Sequence, residues 1–434
     1  MQYSLSKKYI VIYIEKLESL LIIHTKGNFM KKRKLASILM AVVFAMSIVM
    51  GCGAIDENKK TSDNTTTTEK ETTTEPVTEP PFEPVSINVM MIGDMLMHMG
   101  VQNSGRLADG SLNYDHLFTH IKSDIDEADI AIVNQEVIIG GEELGLSGYP
   151  TFNCAYEVGD AIVKAGFNVV LHATNHTVDK GGVGVDNCIN FWKTKHPEIA
   201  YLGINETAED KNNIYVYEQD GVKIAILNYT YGTNGIPLPQ DRPYLVNLLD
   251  EDTVKNDLAK AKELADFIIV CPHWGTEYTL VETEEQHYWA NLFVENGANL
   301  IIGAHPHVIE PVAWVESENG NKALCYYSLG NFVSTQNEAS NMLGAMAKVT
   351  ITNDKDGNVF IKDYSVEPLV TQKLWGTQEI TTYKLSDYTA QLASQNRILD
   401  KDPSFSMSYL VNTCKQVFGD LYVPTGEALN YIGN

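Results

Sequence analysis

The chain has 434 residues, with 32 Lys and Arg against 56 Asp and Glu, a formal charge of −24, and 44% hydrophobic residues. That length supports one large domain or two ordinary ones, and the apolar share supports a sizeable core. The acidic excess excludes nucleic acid as a partner, because gripping a phosphate backbone takes a basic surface.

Met30-Lys-Lys-Arg-Lys34 is a short basic segment, and Leu35–Val49 is an apolar run broken only by Ser37 and Ser47. Basic segment, apolar core and small residues in that order read as a secretory signal peptide over residues 30–51. The apolar run falls short of the roughly 20 residues a spanning helix needs. Val49-Met-Gly-Cys52 resembles a bacterial lipobox, which makes Cys52 the lipidated first residue of the mature chain. The expected location is therefore extracytoplasmic, tied to the membrane through that lipid. Residues 1–29 sit upstream of an ordinary signal peptide and read as a spurious extension, with translation starting at Met30. The other reading is a genuine, weakly amphipathic segment. The chain after residue 51 carries 54 acidic and 24 basic residues, a formal charge of −30.

Ala54–Pro84 is rich in Thr, Glu, Pro, Lys and Asn. Such a composition buries too little surface to offset its ordering entropy, so residues 52–84 are expected to be a disordered tether. Five further cysteines (154, 188, 271, 325 and 414) show no CxxC pair, so a thiolate zinc site is not indicated. Cys271 and Cys325 fall in strand-like runs and read as small core residues.

A folded domain is expected over residues 85–370. Its apolar runs predict strands at Ile87–Ile92, Ile130–Val133, Val169–Leu171, Ile214–Tyr217, Lys223–Asn228, Phe267–Val270, Leu300–Ile302 and Ala323–Ser328. Between them, amphipathic spacing predicts helices at Tyr114–Asp126, Glu157–Ala165, Gly184–Lys195, Thr253–Ala265 and Glu282–Asn296. Fully apolar strands separated by helices imply a mixed α/β sheet domain. Gln219-Asp-Gly221 reads as a hairpin turn, and Gly344–Val366 as a closing hairpin turning at Asp354–Gly357. Residues 371–434 read as a small helical appendix without an assigned role.

Five of these runs end in Asp, Glu, Asn or His. Val89–Ile92 ends at Asp94, Ile130–Val133 at Asn134-Gln-Glu136, and Val169–Leu171 at His172-Ala-Thr-Asn175-His176. Phe267–Val270 ends at His273, with Glu277 and Tyr278 following; Leu300–Ile302 ends at His305-Pro-His307. The carboxyl edge is where ligands bind in α/β sheets, and these are hard and borderline metal ligands. With no basic phosphate loop among them, they point to a one- or two-metal site. Pro306 biases His305 toward extended backbone. There, residues two apart share a side, so the two histidines can converge on one point.

In order, these motifs resemble the calcineurin-like metallophosphoesterases. More closely, Gly93-Asp94, Asn134-Gln-Glu136, Ala173-Thr-Asn175-His176, His273-Trp-Gly-Thr-Glu277-Tyr278, Gly303-Ala-His305-Pro-His307-Val and Ser328-Leu-Gly-Asn331-Phe332 resemble the bacterial capsule-synthesis CapA family, which includes poly-γ-glutamate synthesis proteins. The resemblance covers about Ser86 to Phe332. It implies a metallophosphatase-like four-layer α/β/β/α sandwich and a divalent cofactor, Mn, Zn or Fe, in one or two copies. It implies that Asp94 and His307 hold one metal, Glu136 bridges, and Asn175, His273 and His305 hold the second. His176 would be the catalytic acid facing the substrate. If Asn175 and His176 lie in an extended loop they point opposite ways, so one can bind metal while the other faces outward.

The chain departs from the phosphoesterase pattern at Leu96, a non-ligand where Asp-x-His is usual; His98 could substitute only if the backbone turns there. Glu277 and Tyr278 read either as groups orienting His273 or as ordinary loop residues. Asn134 and Asn331 are candidates to support the site or face substrate. His172 reads as a core histidine, Trp274 as a pocket wall, and His116, His120, His196 and His287 as solvated. No Gly-x-Ser-x-Gly elbow is present. Two functions follow from the resemblance: a metal-dependent hydrolase acting on an anionic cell-surface polymer or its precursor, or a non-catalytic subunit guiding that polymer for a membrane synthase complex.

Overall fold

Alternating burial along the strands assigns each side chain to a layer, as the two-residue period of a pleated strand requires. In β1 (Ser86–Met95), Ile87, Val89 and Met91 enter one core while Met90 and Ile92 enter another. β2 (Ile130–Asn134), β3 (Val169–Leu171) and β4 (Ala200–Leu202) follow beside it, all parallel. The chain then builds a second sheet from β5 (Tyr215–Gln219), β6 (Val222–Thr230), β7 (Phe267–His273), β8 (Leu300–Ile302), β9 (Val312–Glu316) and β10 (Lys322–Tyr326). It returns to the first sheet with β11 (Asn331–Val333), β12 (Leu343–Asn353), β13 (Val359–Lys373) and β14 (Ile380–Lys384). The orders are β14-β13-β12-β1-β2-β3-β4, with β11 on β1, and β5-β6-β7-β8-β10-β9. This computed structural model describes residues 82–374 and 376–432. The signal peptide, Cys52, residues 1–29 and the tether up to residue 81 lie outside the described residues.

The two sheets face each other across a shared core. Ile132 and Leu171 from the first sheet meet Ile224, Ile226, Ile269 and Ile302 from the second. The outer face of the first sheet packs on α1 (Met99–Ser104), α2 (Lys122–Asp126), α3 (Tyr156–Ala165) and α4 (Gly181–Lys195). A short helix, α5 (Ala208–Lys211), precedes β5. The outer face of the second sheet packs on α6 (Glu251–Leu264) and α7 (Glu284–Glu295) through Val254, Leu258, Trp289 and Phe293. The architecture is the expected four-layer α/β/β/α sandwich. Strands buried on both faces read as continuous apolar runs for this reason, and each such side chain contributes about 1.5–3 kcal/mol.

Three local differences have physical causes. Tyr114–Asp126 is not one helix: Asp115–Phe118 is a 3₁₀ turn and α2 starts only at Lys122. Leu117, Phe118, Ile121 and Ile125 are all buried, but the bonds Leu117 N–H to Tyr114 O and Ile121 N–H to Phe118 O close i→i+3 turns. Helical spacing of apolar residues is compatible with either winding. α6 begins at Glu251 because Asp250 caps it, accepting from Thr253 N–H at 2.9 Å. α7 begins after Thr283, which forms a reciprocal capping box with Gln286.

The boundary expected at 370 falls inside β13, and β14 extends the first sheet beyond it. α8 (Ala390–Gln395) and α9 (Met407–Phe418) follow, and Ala393, Leu410, Val411 and Cys414 join the core between the sheets. All five cysteines of the described residues are buried and unpaired. No described helix is long and apolar enough to cross a membrane.

Candidate metal centre

The site is built where strands of both sheets end. β1 and β2 finish side by side, with Asp94 in register with Asn134, and β11 brings Asn331 level with Asp94. This approach requires Gly93, where a Cβ would lie 1.9 Å from Gly330 O; Asp94 N–H donates to that oxygen at 2.9 Å. From the second sheet, β7 ends at His273, and β8 runs through Gly303 into His305-Pro-His307. A Cβ on Gly303 would meet Tyr327 O at 2.2 Å and Trp274 Nε1 at 2.3 Å.

The side chains fall into two donor groups that share one carboxylate. Asp94, Glu136 and His307 offer ligand atoms all within 4.8 Å of one another, and so do Glu136, His273 and His305. All five are buried. His307 Nδ1 lies 3.2 Å from Asp94 Oδ2, and its Nε2 lies 3.7 Å from Glu136 Oε1. On the other side, His273 Nε2 lies 3.9 Å from the same Glu136 oxygen and 2.9 Å from Asn175 Oδ1. Supporting amides fix the rings. Asn134 Nδ2 donates to Asp94 Oδ1 at 2.7 Å and lies 3.4 Å from His273 Nδ1. Asn331 presents Oδ1 to His307 Nδ1 at 3.1 Å, while its Nδ2 donates to Gln336 Oε1 at 2.8 Å and Asn341 O at 3.1 Å.

Charge is badly balanced here for a chain without a cation. Burial holds the Glu136 carboxyl well above its usual range, with His307 opposing and Asp94 adding to the rise. Burial likewise drives His273 and His305 well below the usual imidazole range, and neighbouring imidazoles add to it. At His307 burial also pulls downward, but Glu136 and Asp94 outweigh it and hold the imidazolium up to about 9. Both Glu136 oxygens and His305 Nδ1 are buried without a hydrogen-bond partner. Orphaned acceptors of this kind are rare and call for a ligand or ion. Carboxylate and imidazole donors facing one another fit a divalent transition metal, so the residues present suit the cofactor that the motifs imply.

Outside the donor groups a cleft of about 1040 Å³ opens. His176 lines it, and its Nδ1 donates to Asp179 Oδ2 at 2.6 Å. Asp179 also accepts from Phe152 N–H at 2.7 Å, and the Phe152 ring stands edge-on to His176 at 4.6 Å. Sequence reading missed Asp179, although a carboxylate three residues after the Asn-His pair was a usable signal. It also missed Asn234, whose Oδ1 accepts from Asn175 Nδ2 at 3.2 Å. Nothing in the surrounding Gly232-Thr-Asn-Gly235 marked that residue out.

Several expectations are corrected. His305 and His307 are not extended: their φ values are +107° and +59°. They therefore serve different donor groups, with ring centroids 5.9 Å apart, instead of converging on one point. Asn175 and His176 lie in a turn closed by Thr177 N–H to Thr174 O and Asp179 N–H to His176 O. The turn, not strand alternation, separates their directions. Glu277 and Tyr278 do not orient His273; both face His307, with Glu277 Oε1 at 4.0 Å and the Tyr278 ring at 6.0 Å. Leu96 is buried, and His98 joins neither donor group, its ring packing edge-on to Phe152 at 5.2 Å. Trp274 is core, stacked on Phe293 and Tyr327. His172 is the expected core histidine, accepting from Trp192 Nε1 at 2.8 Å. His116, His120, His196 and His287 are half-buried, and His196 lies 2.7 Å from Asp160.

Comparisons with known proteins identify the family. Residues 88–336, more than half of the chain, match the family described as bacterial capsule synthesis protein PGA_cap. The chain is 27% identical over 259 residues to the capsule biosynthesis protein CapA of Bacillus anthracis, covering 58% of this chain and 60% of that protein. It is 31% identical over 171 residues to the PGA biosynthesis protein CapA of Bacillus subtilis (strain 168), covering 39% of this chain and 43% of that protein. The matches thus span about two fifths to three fifths of those relatives' lengths. Among solved structures, the NAD nucleotidase of Haemophilus influenzae aligns with a TM-score of 0.42 at 11% identity, covering 74% of this chain and 56% of that one. Carrying the family's matched region from the first strand past Asn331, this chain belongs to the bacterial capsule synthesis protein family PGA_cap.

Proposed function

We propose that this chain works at the cell surface in the biosynthesis of a capsule polymer, as a metal-dependent hydrolase of that polymer or its precursor. One observation carries the reading: a buried glutamate with both oxygens unpartnered, Glu136, stands between two groups of carboxylate and imidazole donors. Asp94, Glu136 and His307 would hold one cation, and Glu136, His273, His305 and Asn175 a second. Mn, Zn or Fe suits this donor set. Such cations supply Lewis acidity toward a phosphoryl or acyl oxygen. The protein's own part is positioning and proton transfer. Asp179 holds His176 by Nδ1, which leaves Nε2 as the atom that protonates a leaving group in the cleft. The proposed setting is extracytoplasmic, with a lipid on Cys52 as anchor and a membrane synthase complex as partner. An anionic polymer of the poly-γ-glutamate kind would meet positive charge only at the cations.

Leu96 favours a second reading, a non-catalytic subunit with a weakened first cation site, because it supplies no ligand and His98 joins no donor group. Metal analysis of the full chain, with hydrolysis assayed on phosphodiester and γ-glutamyl substrates side by side, separates the two. The hydrolase reading expects stoichiometric metal that falls in His305→Ala, and a His176→Ala variant that keeps fold and metal but loses turnover. Equal turnover in His176→Ala would reject its acid role. Substoichiometric metal, unchanged by His305→Ala, would favour the non-catalytic reading.

A further inference from the structure

His98 lines the cleft beside the donor groups without belonging to either. It stands four residues after Asp94, immediately before α1. Its backbone is fixed there: His98 N–H donates to Leu96 O at 2.7 Å, and its carbonyl accepts from Gln102 N–H at 3.0 Å. Its ring makes no hydrogen bond to the helix it precedes. The Phe152 ring stands edge-on to two imidazoles, His98 at 5.2 Å and His176 at 4.6 Å, and so ties both into one wall of the cleft.

Packing alone is a poor account of this side chain. Nδ1 is buried with no hydrogen-bond partner. Nε2 is not buried, and it too has no partner among the described residues. A proton on Nδ1 would strand a donor in the protein, whereas a proton on Nε2 faces the open cleft. Whether the ring carries one proton or two, Nε2 is then a donor without a partner.

This end of the cleft is also where an anion finds positive charge. His307, held as an imidazolium up to about 9, belongs to the Asp94 donor group, where one of the cations would stand. Lys373, on β13, is buried and donates to the carbonyls of Thr335 and Gln336 at 3.1 and 3.0 Å. His307, His176 and Lys373 are the charged neighbours of the His98 ring. The acidic residues lining the cleft are turned elsewhere, Asp179 to His176 at 2.6 Å and Glu277 to His307 at 4.0 Å. A hydrogen bond to an ionised oxygen is roughly twice as strong as a neutral one, so a donor placed here favours an anionic unit.

We infer that His98 binds substrate: its Nε2–H donates to an anionic oxygen, carboxylate or phosphoryl, of the polymer unit seated at the Asp94–His307 end of the cleft. The inference rests on reading this cleft as the substrate site. The test is calorimetric titration of the full chain in Mn²⁺ with two probes, γ-linked glutamate hexamer for the carboxylate and inorganic phosphate for the phosphoryl oxygen. Metal content is measured on the same samples. At least one probe should bind the wild type. His98→Phe keeps a ring against Phe152 and should weaken that probe about tenfold or more. His98→Leu should match it, and His98→Gln, which restores an N–H donor, should recover part of the loss. Metal content should stay at the wild-type level in all three. The probe that loses affinity identifies the oxygen. Equal affinity of the wild type and both apolar variants for both probes overturns the inference and leaves His98 a packing residue. So does a wild type that binds neither probe, or a fall in metal content that matches the loss of affinity. Titration reads binding without turnover, so binding that depends on His98 in a chain that hydrolyses nothing would count against the hydrolase alone. Turnover with an affinity indifferent to His98 would count against His98 alone.

Discussion

Glu136→Gln changes one charge at the centre of the candidate site and leaves volume almost constant. Without metal, Glu136 is buried among Asp94, His273, His305 and His307 with both oxygens unpartnered. Confining an ion there costs several kcal/mol after relaxation, and attraction to His307 returns part of it. An unpartnered glutamine amide costs about 1–3 kcal/mol. The metal-free variant should therefore be more stable than the wild type by about 1–3 kcal/mol, or roughly 2–6 °C at about 2 °C per kcal/mol. With metal the balance reverses. A cation at 100 times its Kd adds about 2.7 kcal/mol per site to a chain that binds it, and an amide cannot serve as the anionic bridge. Scanning calorimetry of both proteins in EDTA and in saturating Mn²⁺ reads the result. The expected order is variant above wild type in EDTA and below it in Mn²⁺. A variant that melts well below the wild type in EDTA would mean that the carboxylate stabilises the fold unaided, and the argument for a cation would lose its basis. Equal Mn²⁺ shifts in the two proteins would move the metal elsewhere.

Glu310 offers a pH test away from the donor groups. It is buried, accepts from Gln286 Nε2 at 2.6 Å, and burial holds its carboxyl up to about 8. Because the folded state keeps the proton that the unfolded chain releases near 4.5, stability should fall as pH rises from about 4.5 to 8, by at most about 5 kcal/mol. Urea melts at pH 5, 7 and 9 should show Glu310→Gln near wild type at pH 5 and clearly more stable at pH 9; parallel curves would exclude the burial account. Asp179→Asn keeps an acceptor for Phe152 N–H but cannot hold His176 in the same tautomer. It should lower kcat by 10²-fold or more with metal content unchanged, and a change confined to KM would assign Asp179 to binding.

Strand identity was legible because both faces of each central strand are buried, so apolar residues run without interruption. Ile224–Leu227 and Phe267–Cys271 feed two different cores from alternate positions, and a run with no polar partner on either side has few other homes. The edge strands β4 and β9 and the off-path strand β11 lacked that signal. β4 and β11 are three residues each, and β9 alternates weakly, with Ala313, Trp314 and Glu316 exposed. Their positions come from pairing to neighbours rather than from composition. The helix expected over Tyr114–Asp126 failed because one apolar pattern serves two windings, and only the hydrogen bonds choose between them.

At the site, residue type and order were legible while conformation was not. A strand end marks where a ligand can stand, because parallel neighbours bring their carboxyl ends to one edge. It does not specify the turn beyond that edge. His305 and His307 reach separate donor groups through two positive φ values that no composition rule anticipates. Those turns depend on distant contacts: His305 N–H donates to Asp94 Oδ2 at 3.3 Å, and Asn331 Nδ2 donates to His307 O at 3.2 Å. The backbone that separates the two histidines is thus held by residues 211 and 24 positions away. Backbone held off its preferred conformation by such contacts is stored strain, and it persists only where the surroundings over-determine it. Here the surroundings include two buried carboxylates that share one imidazolium, His307, and have no Lys or Arg partner among the described residues. The arrangement is costly on both counts without a cation. It becomes intelligible when Glu136 is a bridge, since splitting the histidines between two groups is what gives one shared carboxylate two partners to serve.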